Sequence, residues 1–243
     1  MSNNKSLTLH HDPLGLAYKS FYKGNKKAEF TLHSPQFDPD DISVDYFFRT
    51  YDEMPLLEQT ALLRCTGKIL DVGAGSGTHS LILQNKGFDV TALDISQLAC
   101  EVMNLRGINN IVCENFWNFS AERFDTILFL MNGIGLIESI QNLPSFFKHV
   151  SNILSPSGKL LVDSSDLRYL FEEDDGSFLI PLQENYYGQV EFSVQFEDYI
   201  SEPFSWIYLD FDSLEHAAKQ AGFKCTCVEQ GSHYDFLAEI TRL

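Results

Sequence analysis

Three glycines at alternate positions, in Asp71-Val72-Gly73-Ala74-Gly75-Ser76-Gly77, constrain this chain more than any other feature. Ile69 and Leu70 lead into them as a short apolar run, and a helical pattern follows from His79 to Lys86. The order reads as strand, tight turn, helix. Glycines there remove Cβ atoms and permit positive φ, so that backbone can approach a nucleotide-like ligand at the carboxyl end of a parallel strand. A second strand, Phe88 to Leu93, ends at Asp94, where a carboxylate can accept hydrogen bonds from both hydroxyls of a ribose. The same glycines also suit a ligand-free turn, and Asp94 also suits a helix N-cap ahead of Ile95-Ser96-Gln97; the ordered context argues for a site.

The spacing discriminates among cofactors. A dinucleotide fingerprint is G-x-G-x-x-G, with a pyrophosphate at the helix N-terminus. Here the pattern is Asp71-x-Gly73-x-Gly75-x-Gly77, and a carboxylate just ahead of the turn repels a pyrophosphate but attracts an ammonium or sulfonium group. Strand, D-x-G-x-G-x-G, helix, strand and terminal Asp together resemble motif I of the class I S-adenosylmethionine-dependent methyltransferases. The resemblance implies that Gly73 and Gly75, with Ala74 between them, face the methionine part of the cofactor, with Asp71 near its amino group. Asp94, followed by Ile95, would hold the ribose. Asn115 stands where the family often has an acidic residue near the adenine amino group; its amide oxygen can accept the same bond, and Phe116 would pack on the adenine. Leu130 and Met131 would line the cleft. Arg49 is a candidate partner for the cofactor carboxylate, or for a surface carboxylate.

Past the turn, strand-like and helix-like stretches alternate, as in a doubly wound α/β sheet. Helix is expected over Ser96–Arg106, strand over Ile108–Asn115, and a central, doubly buried strand over Phe124–Leu130. A helix over Asn142–Leu154, a Pro-x-Gly stop at 156–158 and a strand at Lys159–Asp163 come next. Asp212-Ser213-Leu214-Glu215 reads as a capping box opening a helix to Ala221, with Gly222 as its C-cap, before strands at Phe223–Glu229 and Phe236–Thr241. The resemblance implies a seven-stranded, mostly parallel sheet of order 3-2-1-4-5-7-6 over residues 68–243.

Two parts fall outside that pattern. Residues 166–210 form an insertion in which Val190, Phe192, Val194 and Phe196 alternate with polar residues, the period of a half-buried strand. Tyr186-Tyr187-Gly188-Gln189 would turn into it and Trp206 to Leu209 would add a strand, giving a small antiparallel insertion, either an edge cover or a substrate lid. Residues 1–67 read as an N-terminal helical cap, with helix over Pro13–Lys27, a loop at 34–39, and helical periodicity again at Val44–Arg49 and Leu56–Leu63. Phe48-Arg49-Thr50-Tyr51-Asp52-Glu53-Met54-Pro55 is also similar to a segment of bacterial methyltransferases that have no assigned substrate.

Charge limits the acceptor. With 17 basic against 34 acidic residues the net charge is −17, and phosphate neutralisation, the main source of nucleic-acid affinity, has no basic stripe to work with. Lys19, Lys23, Lys26 and Lys27 read as a solvated helix face. The strand end Met131-Asn132-Gly133-Ile134 also differs from the N-P-P-Y of methyltransferases acting on DNA bases or glutamine. These features favour a small-molecule acceptor, with neither nucleic acid nor membrane as partner. No apolar run approaches the roughly 20 residues that span a bilayer, and the start lacks a signal-peptide core, so a cytoplasmic protein is expected. Cys65, Cys100, Cys113, Cys225 and Cys227 lack zinc-type spacing, and no metal site is expected. For general base, His79, Asp163, Asp166 and Tyr51 are candidates on position alone, each with a structural reading beside it. Competing functions are an NAD-dependent dehydrogenase, for which the glycine spacing is wrong, and a non-catalytic adenosyl-binding protein.

Overall fold

Two hydrogen-bonded sheets organise the chain in the computed structural model, which describes residues 12–120, 122–173, 175–179 and 185–243. In chain order the elements begin with α1 (Pro13–Tyr22), β1 (Glu29–His33), β2 (Asp40–Ser43) and α2 (Leu56–Arg64). They continue with β3 (Lys68–Val72), α3 (Thr78–Asn85), β4 (Asp89–Asp94), α4 (Gln97–Leu105) and β5 (Asn110–Cys113). Next are β6 (Phe124–Phe129), α5 (Leu143–Ile153), β7 (Leu154–Ser165), β8 (Gln189–Phe196), β9 (Tyr199–Ile200) and β10 (Phe204–Ile207). α6 (Phe211–Gln220), β11 (Phe223–Gln230) and β12 (Asp235–Arg242) complete the chain.

The larger sheet has seven strands in the order β5-β4-β3-β6-β7-β12-β11. Numbered within that sheet this is 3-2-1-4-5-7-6, as expected. β4 pairs with β5 and β6 with β7 in parallel, while β12 runs antiparallel to both β7 and β11. The strand order reverses beside β3, and such a switch point is where parallel sheets of this kind take ligands, outside the strands' carboxyl ends.

The second sheet follows the order β10-β8-β1-β2, with β9 paired to β8. Leu32 of β1 lies opposite Val194 of β8, so the insertion strand is hydrogen-bonded to the N-terminal segment. The alternation over 190–196 therefore does mark a strand, whose Val190, Phe192, Val194 and Phe196 are buried. Its partner β1 was not expected, because Phe30 and Leu32 supply only two apolar residues to its alternation.

The chain divides into two compact units, one of Met1–Met54, Leu70–Phe119 and Glu191–Phe204, the other of Pro55–Ile69, Ser120–Val190 and Ser205–Leu243. In the first, Ala17, Tyr18 and Phe21 of α1 share an apolar cluster with Phe30, Val194 and Phe196 of the strands and with Ala99 and Val102 of α4. In the second, α5 buries Leu143, Phe146, Phe147, Val150 and Ile153, one helical stripe. Phe146 meets Phe129 edge-on at 5.2 Å, and Phe147 meets Phe223 at 5.4 Å.

Several boundaries differ from expectation for local reasons. α1 stops at Tyr22, because Gly24 takes φ +114 and turns the chain toward β1. The periodicity at 44–48 is a 3-10 helix, Val44–Phe48, and not an α-helix. The Pro-x-Gly stop lies within β7, where the pairing with β6 shifts register between Phe124 and Thr126. α6 is capped by Asp210, whose carboxylate accepts from Ser213 N at 2.8 Å, so Asp212 lies inside the first turn and is not the cap. The third strand of the insertion is Phe204–Ile207, two residues earlier than Trp206–Leu209.

Candidate functional site

The glycine turn is a left-handed run between β3 and α3, with Gly73 at φ +70, Gly75 at +57 and Gly77 at +82. Two of the glycines answer to different constraints. A Cβ on Gly77 would sit 2.2 Å from Ile108 Cδ1 and 2.8 Å from Met103 Cγ, so this glycine is demanded by packing. A Cβ on Gly73 would meet nothing within 4 Å, so its surroundings leave space for a ligand against bare backbone. The amides of Gly73 and Ala74 both donate to Leu93 O, at 2.9 and 3.1 Å, which ties the turn to the end of β4.

Asp94 closes this arrangement. Its Oδ2 accepts from Gly75 N at 2.7 Å and its Oδ1 from Ser96 N at 2.8 Å, so one carboxylate spans the turn and the start of α4. Each oxygen keeps a further lone pair for a ligand donor. Burial pushes the carboxyl up to about 6; the Ser96 and Gly75 amides oppose the rise, while Asp12 and Asp71 add to it. Asp71 is buried at the end of β3, and Ser80 Oγ donates to its Oδ2 at 2.6 Å. Three carboxylates thus act on one neighbourhood, a field that favours a cationic ligand.

The other expected residues of this unit fall into place variously. Ile95 is exposed and Phe116 is buried, the latter ring meeting Trp117 at 5.4 Å. Asn115 uses its amide oxygen to cap the short turn after it, accepting from Trp117 N at 2.9 Å, with a second lone pair remaining. Arg49 is buried, its guanidinium 3.9 Å from the Tyr46 ring centroid and donating to Tyr46 O. Tyr51 carries the Lys86 ammonium over its ring at 4.3 Å, and His79 is buried in the first turn of α3.

In the second unit, Leu130 is buried and Met131 and Asn132 are both left-handed, at φ +60 and +55. Asp163 holds them so, its two oxygens accepting from Met131 N at 2.9 Å and Asn132 N at 2.7 Å. Asp166 accepts from Tyr187 Oη at 2.7 Å and pairs with Arg168 Nε at 2.7 Å. Both carboxylates therefore hold neighbouring structure. Tyr187 lies with Asp166, Arg168, Asp210, Phe211 and Asp212 around a cavity of about 230 Å³.

Sequence reasoning missed the contribution of the N-terminal segment. Phe47 O accepts from Ser76 Oγ and from Thr78 Oγ1, the latter at 2.6 Å. Arg106 Nη1 reaches Ser76 O, Ser76 Oγ and Thr78 Oγ1 at 2.7, 2.8 and 3.0 Å, so the polar residues flanking Gly77 strap residues 44–48 to the turn. Asp12 accepts from Ser96 Oγ and Tyr18 lies against Gly75. The Asp-Pro start of α1 signals a helix N-terminus, but nothing local signals what that helix touches. Among the described residues no cluster of three or more His, Cys, Asp or Glu could hold a metal, and no helix is long and apolar enough to cross a membrane.

A family model described as a methyltransferase domain matches residues 47–228. A crystal structure of an S-adenosylmethionine-dependent methyltransferase from Bacteroides fragilis, in complex with S-adenosylhomocysteine, is 47% identical, covers 97% of each chain and superposes with a TM-score of 0.91. Among curated relatives, the putative methyltransferase YqeM of Bacillus subtilis is 28% identical over 40% of this chain and 42% of its own length. The biotin biosynthesis bifunctional protein BioHC of Saccharophagus degradans is 23% identical over 64% of this chain. The chain spans 26% of BioHC and 42% of YqeM, less than half the length of each of these two curated relatives. The chain belongs to the methyltransferase-domain family. Its fold is that of the S-adenosylmethionine-dependent class, and S-adenosylmethionine is the methyl donor of that class.

Proposed function

We propose that this protein transfers the methyl group of S-adenosylmethionine to a small-molecule acceptor by in-line displacement. The observation that carries the reading is the Asp94 carboxylate, fixed by Gly75 N and Ser96 N and flanked by Asp12 and Asp71. When bound, the cofactor supplies an electrophilic methyl group on a sulfonium. The open face of Gly73 takes the ligand against backbone, Asp71 faces its ammonium, Asp94 its ribose, and Asn115 and Phe116 its adenine. Arg49 serves its carboxylate. Alignment of the two reactants in a dry site supplies most of the rate. The acidic surface, with its net charge of −17, supports a small metabolite over a nucleic acid. We read residues 1–67 as a cap and 166–210 as an insertion on the methyltransferase domain at 68–243; β1 and β8 pair in one sheet, which supports assigning acceptor choice to these two segments. A cytoplasmic setting fits this reading.

Titration calorimetry tests it. S-adenosylhomocysteine is expected to bind and NADH is not; tighter binding of NADH would sink the proposal. With methyl-labelled S-adenosylmethionine and a metabolite extract, the label should appear in small molecules, and label confined to macromolecules would refute the acceptor class.

The raised Asp94 carboxyl adds a pH dependence. An acid lifted from its ordinary 3.8 to about 6 holds its proton through that window in the free protein, and a ribose diol that donates to both carboxylate oxygens needs the ionised form, since the protonated acid turns one of them into a donor. Affinity for S-adenosylhomocysteine should therefore fall as pH drops below 6, to about a tenth of its pH 7 value at pH 5, and level off above 7. A flat profile from pH 5 to 7 in the wild type would contradict this.

A further inference from the structure

Tyr18 is a buried side chain whose hydroxyl, among the described residues, has no hydrogen-bond partner. Its ring is held by Phe47 and Phe48, at centroid distances of 5.2 and 6.2 Å. The hydroxyl lies 3.4 Å from the position a Cβ would take on Gly75, at the centre of the glycine turn. Burial, then Asp94 and Asp12, hold this phenol protonated well above its ordinary range, so it is a neutral O–H donor. A ligand group is the natural partner.

The helix that carries Tyr18 is keyed to Asp94. Asp12 Oδ1 accepts from Gly15 N at 2.8 Å, its Oδ2 accepts from Ser96 Oγ, and Ser96 N donates to Asp94. A Cβ on Gly15 would come within 2.7 Å of both Ser96 Oγ and Leu98 Cβ, so the absence of a side chain there lets α1 approach the start of α4. Asp94, when ionised, only accepts hydrogen bonds. A ribose diol that donates to it still has oxygen lone pairs that can accept, and Tyr18 is a neutral donor within electrostatic reach of Asp94. The amino-acid carboxylate of the cofactor is the poorer match, since Asp94 and Asp12 would repel it.

We infer that the Tyr18 hydroxyl donates a hydrogen bond to a ribose oxygen of the cofactor, which makes α1 part of the cofactor site and Tyr18 a binding residue complementary to Asp94. The inference rests on the methyl-donor reading above. Calorimetric titration of Tyr18→Phe with two probes tests it: S-adenosylhomocysteine, and 5′-methylthioadenosine, which keeps the ribose and lacks the amino-acid part. Loss of one hydrogen bond is expected to weaken both by the same factor, about five- to tenfold, with the apo melting temperature held near wild type by the retained ring. Tyr22→Phe, which alters an exposed hydroxyl bonded to Leu105 O on the same helix, should leave both affinities unchanged. Weakening of S-adenosylhomocysteine alone would put the hydroxyl on the amino-acid half and overturn the inference, as would unchanged affinity for both. Asp94→Ala in the same titrations keeps the two readings apart: if it loses both probes while Tyr18→Phe loses neither, the cofactor assignment stands and the Tyr18 assignment falls.

Discussion

Replacing Asp94 with alanine is expected to weaken S-adenosylhomocysteine binding by about a hundredfold or more. Two hydrogen bonds from a ribose diol to an ionised carboxylate are each worth about 1.5–3 kcal/mol, and a single substitution removes both. The same change strips the acceptor from Gly75 N and Ser96 N, so the turn and the start of α4 lose their common anchor. Asp94→Asn separates these contributions. Its amide oxygen can still serve one of the two backbone N–H groups, so the variant should keep half of the anchor, melt between wild type and the alanine variant, and bind between the two extremes. Calorimetry on all three proteins at pH 7.5, well above the raised carboxyl of Asp94, is the check. An alanine variant within threefold of wild type would remove Asp94 from the site.

Gly77→Val should have the largest effect on the fold itself. Its Cβ would stand 2.2 Å from Ile108 Cδ1 and 2.8 Å from Met103 Cγ, on a backbone held at φ +82. A left-handed β-branched residue costs about 1–2 kcal/mol before any clash, and overpacking adds roughly 1–3 more. A loss of about 4 kcal/mol lowers the melting temperature of a domain this size by about 8–16 °C. Gly73→Ala is the contrast. Its Cβ meets no protein atom within 4 Å, so that variant carries only the left-handed cost at φ +70, about 1–2 kcal/mol or roughly 2–8 °C, yet should lose cofactor affinity, because the added methyl occupies the ligand's place. Equal melting of Gly77→Val and Gly73→Ala would mean that packing does not decide position 77.

What was legible in the sequence was local. Strand, alternate glycines, helix, strand and Asp94 are contiguous within 30 residues, and each step has its own short-range signal, so the turn was readable and the sheet order followed from the family resemblance. β6 announced itself as a near-continuous apolar run because it is buried. Contacts across long separations left no such mark. His33 bonds to Gln195 across 162 residues, and neither side of that pairing predicts the other. Tyr18 shows the same limit in the site: its position on α1 follows from Asp12 and Pro13, but its neighbour Gly75 is set by tertiary packing. Asp163 shows a further one. A carboxylate at a strand end reads as a candidate base, and no local signal tells that it also accepts from the amides of two consecutive left-handed residues.

The pairing of β1 with β8 also sets a timetable. During synthesis at roughly 5–20 residues per second, Leu32 emerges about eight seconds or more before its partner Val194 exists. β2 can cover one side of β1 at once, since the two are joined by a short loop, but the other side stays an unpaired edge for that interval. Such an edge is a template for association with other chains. The β1–β2 hairpin is thus open to association with other chains for that interval, and β8 acts as the hairpin's own guard.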